Sequence, residues 1–157
     1  MKGLGPLLGT FLPGLLQVHA NLLNFRKMIK LKTGKAPVPN YAFYGCYCGL
    51  GGKGSPKDAT DWCCAAHDCC YKQLKKRGCG TKLLSYKFVF RQDQIICEPQ
   101  DDCRRRLCQC DKIAADCFAR NLRTYNVKLQ YYSNLRCTGT APKCRDSPGS
   151  GSLATQC

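Results

Sequence analysis

The stretch Cys63-Cys64-Ala65-Ala66-His67-Asp68-Cys69-Cys70 sets a histidine beside an aspartate and brackets both with cysteine pairs. Zinc sites take Cys and His at close spacing, but fourteen cysteines between Cys46 and Cys144 form an even set that suits disulfides better. A nucleophilic serine of the G-x-S-x-G kind has no match in the chain. General-base chemistry remains: an imidazole can take a proton from water when a carboxylate fixes its tautomer. Asp68 suits a different task. Calcium prefers oxygen ligands, backbone carbonyls included, and the glycines at 45, 49, 51, 52 and 54 would let a loop turn such carbonyls inward. For the loop taken alone, a glycine-rich turn without metal is a reasonable alternative.

The elements that hold these residues belong to a crosslinked chain. Fifteen cysteines in 157 residues imply an oxidising compartment, with disulfides supplementing a modest core. Residues 1–20 carry one basic residue, Lys2, then an apolar run and Val18-His19-Ala20, and read as a cleaved signal. Pro6 and Pro13 interrupt that run, and it is shorter than a bilayer span requires. Nothing later in the sequence could span a membrane, so secretion is expected, with peripheral membrane association. Without residues 1–20 the net charge is +14 and His67 is the sole histidine. Such a field attracts nucleic acid, heparin-like polysaccharide or anionic membrane alike, and secretion makes nucleic acid the least suitable partner.

Periodicity orders the rest. Leu22, Phe25, Met28 and Ile29 recur at helical spacing before Gly34, predicting an N-terminal helix from Asn21 to about Lys32. Pro37, Pro39 and the glycines make residues 35–56 a long irregular loop. A second helix runs from an Asp58 or Thr60 cap through His67 to Leu74, ending at Gly78. Tyr86, Phe88 and Phe90 alternate with Lys87, Val89 and Arg91, and Gln92 to Gln94 turn back into Ile95-Ile96-Cys97 as a small antiparallel hairpin. Asp101 or Asp102 caps a third helix reaching about Arg120. Residues 145–157 read as a flexible tail whose Cys157 is an odd cysteine without an evident partner.

The run Tyr44-Gly45-Cys46-Tyr47-Cys48-Gly49-Leu50-Gly51-Gly52-Lys53-Gly54, followed by Cys63-Cys64-Ala65-Ala66-His67-Asp68-Cys69-Cys70, resembles the calcium loop and active-site helix of secreted phospholipases A2. The likeness continues through Ser85-Tyr86-Lys87, Cys108-Gln109-Cys110-Asp111-Lys112 and Cys117-Phe118-Ala119-Arg120-Asn121, covers residues 21–144, and points to the group II branch, nearest the basic group IIA enzyme. It implies a mainly α, disulfide-rich fold: two antiparallel disulfide-linked helices, an N-terminal helix, a calcium-binding loop and a small β-wing. It implies seven disulfides, Cys46–Cys137, Cys48–Cys64, Cys63–Cys117, Cys69–Cys144, Cys70–Cys110, Cys79–Cys103 and Cys97–Cys108. Given those pairs, Cys63 and Cys70 lie two helical turns apart and their partners repeat that separation in reverse, so the two helices must be antiparallel. His67 then falls opposite Asp111.

The resemblance further implies calcium-dependent hydrolysis of the sn-2 ester of glycerophospholipids, with His67 as base oriented by Asp111. Calcium would take the carbonyls of Tyr47, Gly49 and Gly51 and the carboxylate of Asp68, weakly, on the order of 10⁻⁴–10⁻³ M. The Gly49 amide would help stabilise the oxyanion, and Tyr71 and Tyr86 would direct their hydroxyls at Asp111. Leu22, Phe25 and Ile29 resemble the acyl-chain wall, with core packing as an equal alternative. Leu23, Arg26, Lys27, Lys30 and Lys35 form the expected interfacial surface, preferring anionic phospholipid, and heparan sulfate or a cell-surface receptor would suit the same charge. A non-catalytic cationic binder is the rival reading, and retention of both His67 and Asp68 argues against it.

Overall fold

A computed structural model describes residues 23–145. The signal reading of residues 1–20, Leu22, and the tail beyond Arg145 with Cys157 lie outside the described residues. Helix α1 occupies residues 23–33, and its Met28 and Ile29 are buried while Lys27 and Lys30 face solvent, as its periodicity requires. The next segment departs from expectation. Within the stretch read as irregular, Pro37–Tyr41 forms a short helix, α2. A proline at the first helical position lacks only an N–H that would be unsatisfied there, and its fixed φ starts the turn. Taken as a loop signal, Pro37 concealed this.

Helix α3, Ala59–Lys76, starts at Asp58, whose carboxylate accepts from the Asp61 amide. Strands β1, Phe88–Arg91, and β2, Gln94–Cys97, pair antiparallel with Val89 opposite Ile96. Their turn is made by Gln92 and Asp93 at φ 51° and 60°, a left-handed pair that matches the twist of a two-residue hairpin. Helix α4, Asp102–Arg120, is capped by Asp101, which accepts from the Arg104 amide. Three short 3-10 turns at Leu122–Thr124, Val127–Leu129 and Asn134–Arg136 then return the chain to the glycine loop.

All fourteen cysteines of the described residues are paired, in the combinations Cys46–Cys137, Cys48–Cys64, Cys63–Cys117, Cys69–Cys144, Cys70–Cys110, Cys79–Cys103 and Cys97–Cys108. Cys63–Cys117 and Cys70–Cys110 bolt α3 antiparallel to α4, and the packing between them leaves a void of only about 10 Å³ beside His67. The core divides around this pair. One cluster gathers Ile29, Tyr41, Tyr44, Phe118 and Leu129 under α1 and the loop. The other gathers Met28, Leu74, Tyr86, Ile95 and Leu107 under the hairpin. A core split this way is small, and each crosslink adds about 2–4 kcal/mol to it, chiefly by restricting the unfolded chain.

Candidate active site

His67 leaves α3 between the two bolts and meets Asp111 on α4, with Nε2 2.6 Å from Asp111 Oδ1. Both side chains are sheltered, at 12% and 1% exposure. An ionised carboxylate only accepts, so Nε2 carries the proton in the neutral ring and Nδ1 keeps its lone pair. Asp111 has two further donors: Tyr71 Oη reaches Oδ1 and Tyr86 Oη reaches Oδ2, each at 2.6 Å. Burial, reinforced by the adjacent Asp111 charge, pushes both phenols far above the ordinary tyrosine range, so they remain donors throughout the working pH range. The imidazole is also clamped by rings, with Phe25 of α1 stacked at 4.4 Å and Tyr71 tilted against it at 4.3 Å.

Asp68, the next residue on α3, faces another environment. Burial pushes its carboxyl up from 3.8 to about 6, against the lowering influence of His67, Lys72 and Lys82. No described residue donates a hydrogen bond to it or pairs with it, a costly arrangement for a sheltered carboxylate. The glycine loop lies directly in front. A Cβ on Gly52 would come within 3.5 Å of Asp68 Oδ2 and 2.7 Å of the Tyr47 ring. At Gly49, φ is 101° and a Cβ would fall 1.8 Å from the Ala42 carbonyl oxygen, so only glycine fits. Gly51 also has positive φ, and Cys48–Cys64 holds the loop to α3 one turn before Asp68.

This donor set fits a hard divalent cation such as calcium: one carboxylate without a partner, and a glycine-rich backbone rich in carbonyls. It does not fit zinc. Every described cysteine is crosslinked, and among the described residues no three His, Cys, Asp or Glu side chains gather as a metal cluster. Ligands besides Asp68 would therefore have to come from the backbone, and Tyr47, Gly49 and Gly51 lie on the loop that faces it.

The N-terminal residues divide. Ile29 is 3% exposed and packs in the core, Phe25 lies on His67, and Leu23 projects at 55% exposure. Lys30 Nζ donates to the Gly34 carbonyl at 2.8 Å, closing the end of α1, while the ammonium groups of Lys27 and Lys35 lie over the rings of Phe88 and Tyr125. None of Arg26, Lys27, Lys30 and Lys35 pairs with a carboxylate among the described residues. The arginine run differs: Arg104, Arg105 and Arg106 each pair with Asp101 or Asp102.

Sequence reasoning passed over Asp61. The sequence shows it only as a helix residue, yet it is wholly buried and accepts the backbone amides of Cys46 and Tyr47 in the glycine loop and of Lys57 just before α3. Its signal was present as an acidic pair, Asp58 and Asp61, at the helix start immediately after the loop.

A family model described as Phospholipase A2 matches residues 22–130. The chain is 66% identical over 131 residues to the Bos taurus protein named "Phospholipase A2, membrane associated", covering 83% of this chain and 91% of that one. The Homo sapiens protein of the same name is 65% identical over 131 residues, with the same coverage of 83% and 91%. "Basic phospholipase A2 B" of Gloydius halys is 52% identical over 130 residues, covering 83% and 93%.

The tyrosine contacts allow a direct check. Tyr86→Phe strips Asp111 Oδ2 of its donor at a site 1% exposed, and should lower the unfolding free energy by about 1–3 kcal/mol. Guanidinium unfolding with the disulfides intact measures it. No change in midpoint would mean that the phenol acts only as packing.

Proposed function

Because this chain belongs to the phospholipase A2 family, on its group II side, we propose that it hydrolyses the sn-2 ester of glycerophospholipids at membrane surfaces, with calcium, releasing a fatty acid and a lysophospholipid. The observation that carries the proposal is the 2.6 Å contact between His67 Nε2 and Asp111 Oδ1, which leaves Nδ1 as a base. Nδ1 takes a proton from water, and the oxygen attacks the ester carbonyl. The proton then passes from Nδ1 to the departing glycerol oxygen while Nε2–H stays on Asp111, so the enzyme returns to its starting state. Tyr71 and Tyr86 hold Asp111 in place through this cycle, and Phe25 keeps the ring from turning.

Calcium, held by Asp68 and the carbonyls of Tyr47, Gly49 and Gly51, would supply positive charge beside the oxygen that becomes anionic in the transition state. The Gly49 amide is suited to the same oxygen. Phe25, stacked on the base, is the described residue suited to wall the acyl chains, whereas Ile29 is committed to core packing.

The chain is read as secreted and as associating peripherally with membranes. Among the described residues no helix is long and apolar enough to cross one. Its attachment is electrostatic, through Arg26, Lys27, Lys30 and Lys35, with Leu23 as the exposed apolar contact. Among the described residues those four cations lack carboxylate partners, whereas each of the three α4 arginines is paired with Asp101 or Asp102. Each basic residue near an anionic bilayer contributes roughly 1 kcal/mol.

Release of labelled sn-2 fatty acid from vesicles is the assay. His67→Gln should slow it by about 10² to 10⁴, while calorimetric calcium binding stays at the parent value. Parent-like hydrolysis by this variant would remove His67 from the mechanism.

Calcium binding should depend on pH through Asp68. Its carboxyl titrates at about 6 in the metal-free protein, so below that pH each bound ion must displace a proton. The association constant should be level above pH 7 and fall about tenfold per unit well below pH 6. An affinity unchanged between pH 8 and pH 5 would rule Asp68 out as a ligand.

Binding to phosphatidylglycerol vesicles should exceed binding to phosphatidylcholine, and the advantage should vanish as salt shortens the Debye length from about 10 Å at 0.1 M toward 3 Å at 1 M. Sedimentation isotherms across a salt series measure it. Equal, salt-independent affinities would transfer the attachment to Leu23 and its apolar neighbours.

A further inference from the structure

Asp61 is a fully buried carboxylate, at 0% exposure, in the first turn of α3. No described cation pairs with it. Its oxygens instead accept three backbone amides at 2.8 Å: Cys46 N–H and Lys57 N–H on Oδ2, and Tyr47 N–H on Oδ1. Cys46 and Tyr47 open the glycine loop, and Lys57 follows it, next to the Asp58 cap. One carboxylate therefore ties the start of the loop and the segment leaving it to the helix that carries His67 and Asp68. The free N–H groups and dipole of the helix start favour a negative charge at this position, so the buried charge is stabilised without a counter-ion.

Fixing two consecutive amides restrains the chain on the N-terminal side of the Tyr47 carbonyl. The peptide unit bearing that carbonyl is held from its other side, where Cys48 N–H donates to the Tyr44 carbonyl at 3.2 Å. The approach is close enough to dictate a neighbouring residue. A Cβ on Gly45 would lie 2.4 Å from Asp61 Cγ, so glycine at 45 makes room for the carboxylate.

We propose that Asp61 is a positioning residue for calcium: by clamping Cys46, Tyr47 and Lys57 it holds the loop carbonyls in a metal-ready arrangement before any ion arrives. This rests on the calcium reading above. Asn is nearly the same size as Asp, but its amide group donates where the carboxylate accepted, so it would face loop N–H groups donor to donor. Asp61 makes no hydrogen bond to His67 or Asp68, and its loss should act on calcium affinity rather than on the base.

The experiment compares parent and Asp61→Asn by calcium calorimetry, amide hydrogen exchange, and vesicle hydrolysis across a calcium series. Folded Asp61→Asn should bind calcium about tenfold or more weakly, the usual cost of removing a group that orients a metal ligand. Exchange at Cys46, Tyr47 and Lys57 should quicken in the metal-free variant, and hydrolysis should recover most of the parent rate once calcium is raised to saturation. Parent-like calcium affinity in a folded Asp61→Asn would overturn the proposal and leave the calcium reading intact. A parent that binds no calcium would overturn both. Should Asp61→Asn fail to fold, the parent decides: calcium addition should slow exchange at Cys46 and Tyr47, and unchanged exchange there would refute the coupling.

Discussion

Everything at the centre of this molecule follows from holding two helices at one register. Cys63–Cys117 and Cys70–Cys110 join α3 to α4 at points seven residues apart on each, in opposite order. A slide by one turn, about 5.4 Å, would carry Asp111 out of reach of His67. Hydrophobic packing alone tolerates such slides at modest cost. Covalent bolts do not, and they let a small split core hold the His67–Asp111 contact at 2.6 Å.

On that rigid frame the two adjacent acceptors, His67 and Asp68, are given opposite conditions. His67 is saturated with contacts on one side, an anion and two rings, so its orientation is settled before substrate arrives. Asp68 is left short of donors, and burial makes its charge costly. The first arrangement favours a defined proton acceptor and the second favours capture of a cation. Helical geometry separates them by about a hundred degrees, enough to give neighbouring residues independent surroundings.

Much of this was legible in the sequence because it is local or periodic. The helix starts at Asp58 and Asp101, the Gln92–Asp93 turn and the buried stripe of α1 each follow from a few adjacent residues. The pairing of cysteines was not legible from spacing, since many combinations are possible; it came from resemblance, and only then did the His67–Asp111 register follow. Two features escaped. Helix α2 was hidden because Pro37 serves equally as a loop signal and a helix start. Asp61 was hidden because its partners are backbone amides, which carry no residue-type signature. Ile29 remained ambiguous for a related reason, since core and substrate wall ask for the same apolar side chain, and in the structure it is buried.

The four cysteines of α3 lead to three different places: Cys63 and Cys70 to α4, the latter one helical residue from Asp111, Cys64 to the glycine loop and Cys69 to the C-terminal segment. With Cys46–Cys137 binding the loop to the last turn, every stretch between Cys46 and Cys144 is spanned by at least one disulfide, whereas residues 23–45, with α1 and α2, precede the first of them. A single cut by a protease between Cys46 and Cys144 would thus leave both halves attached, with α3 and α4 still bolted together. Such a cut would add only one water to the mass and would not part the fragments until the disulfides were reduced, so this region would come apart by loss of crosslinks rather than by single breaks in its backbone.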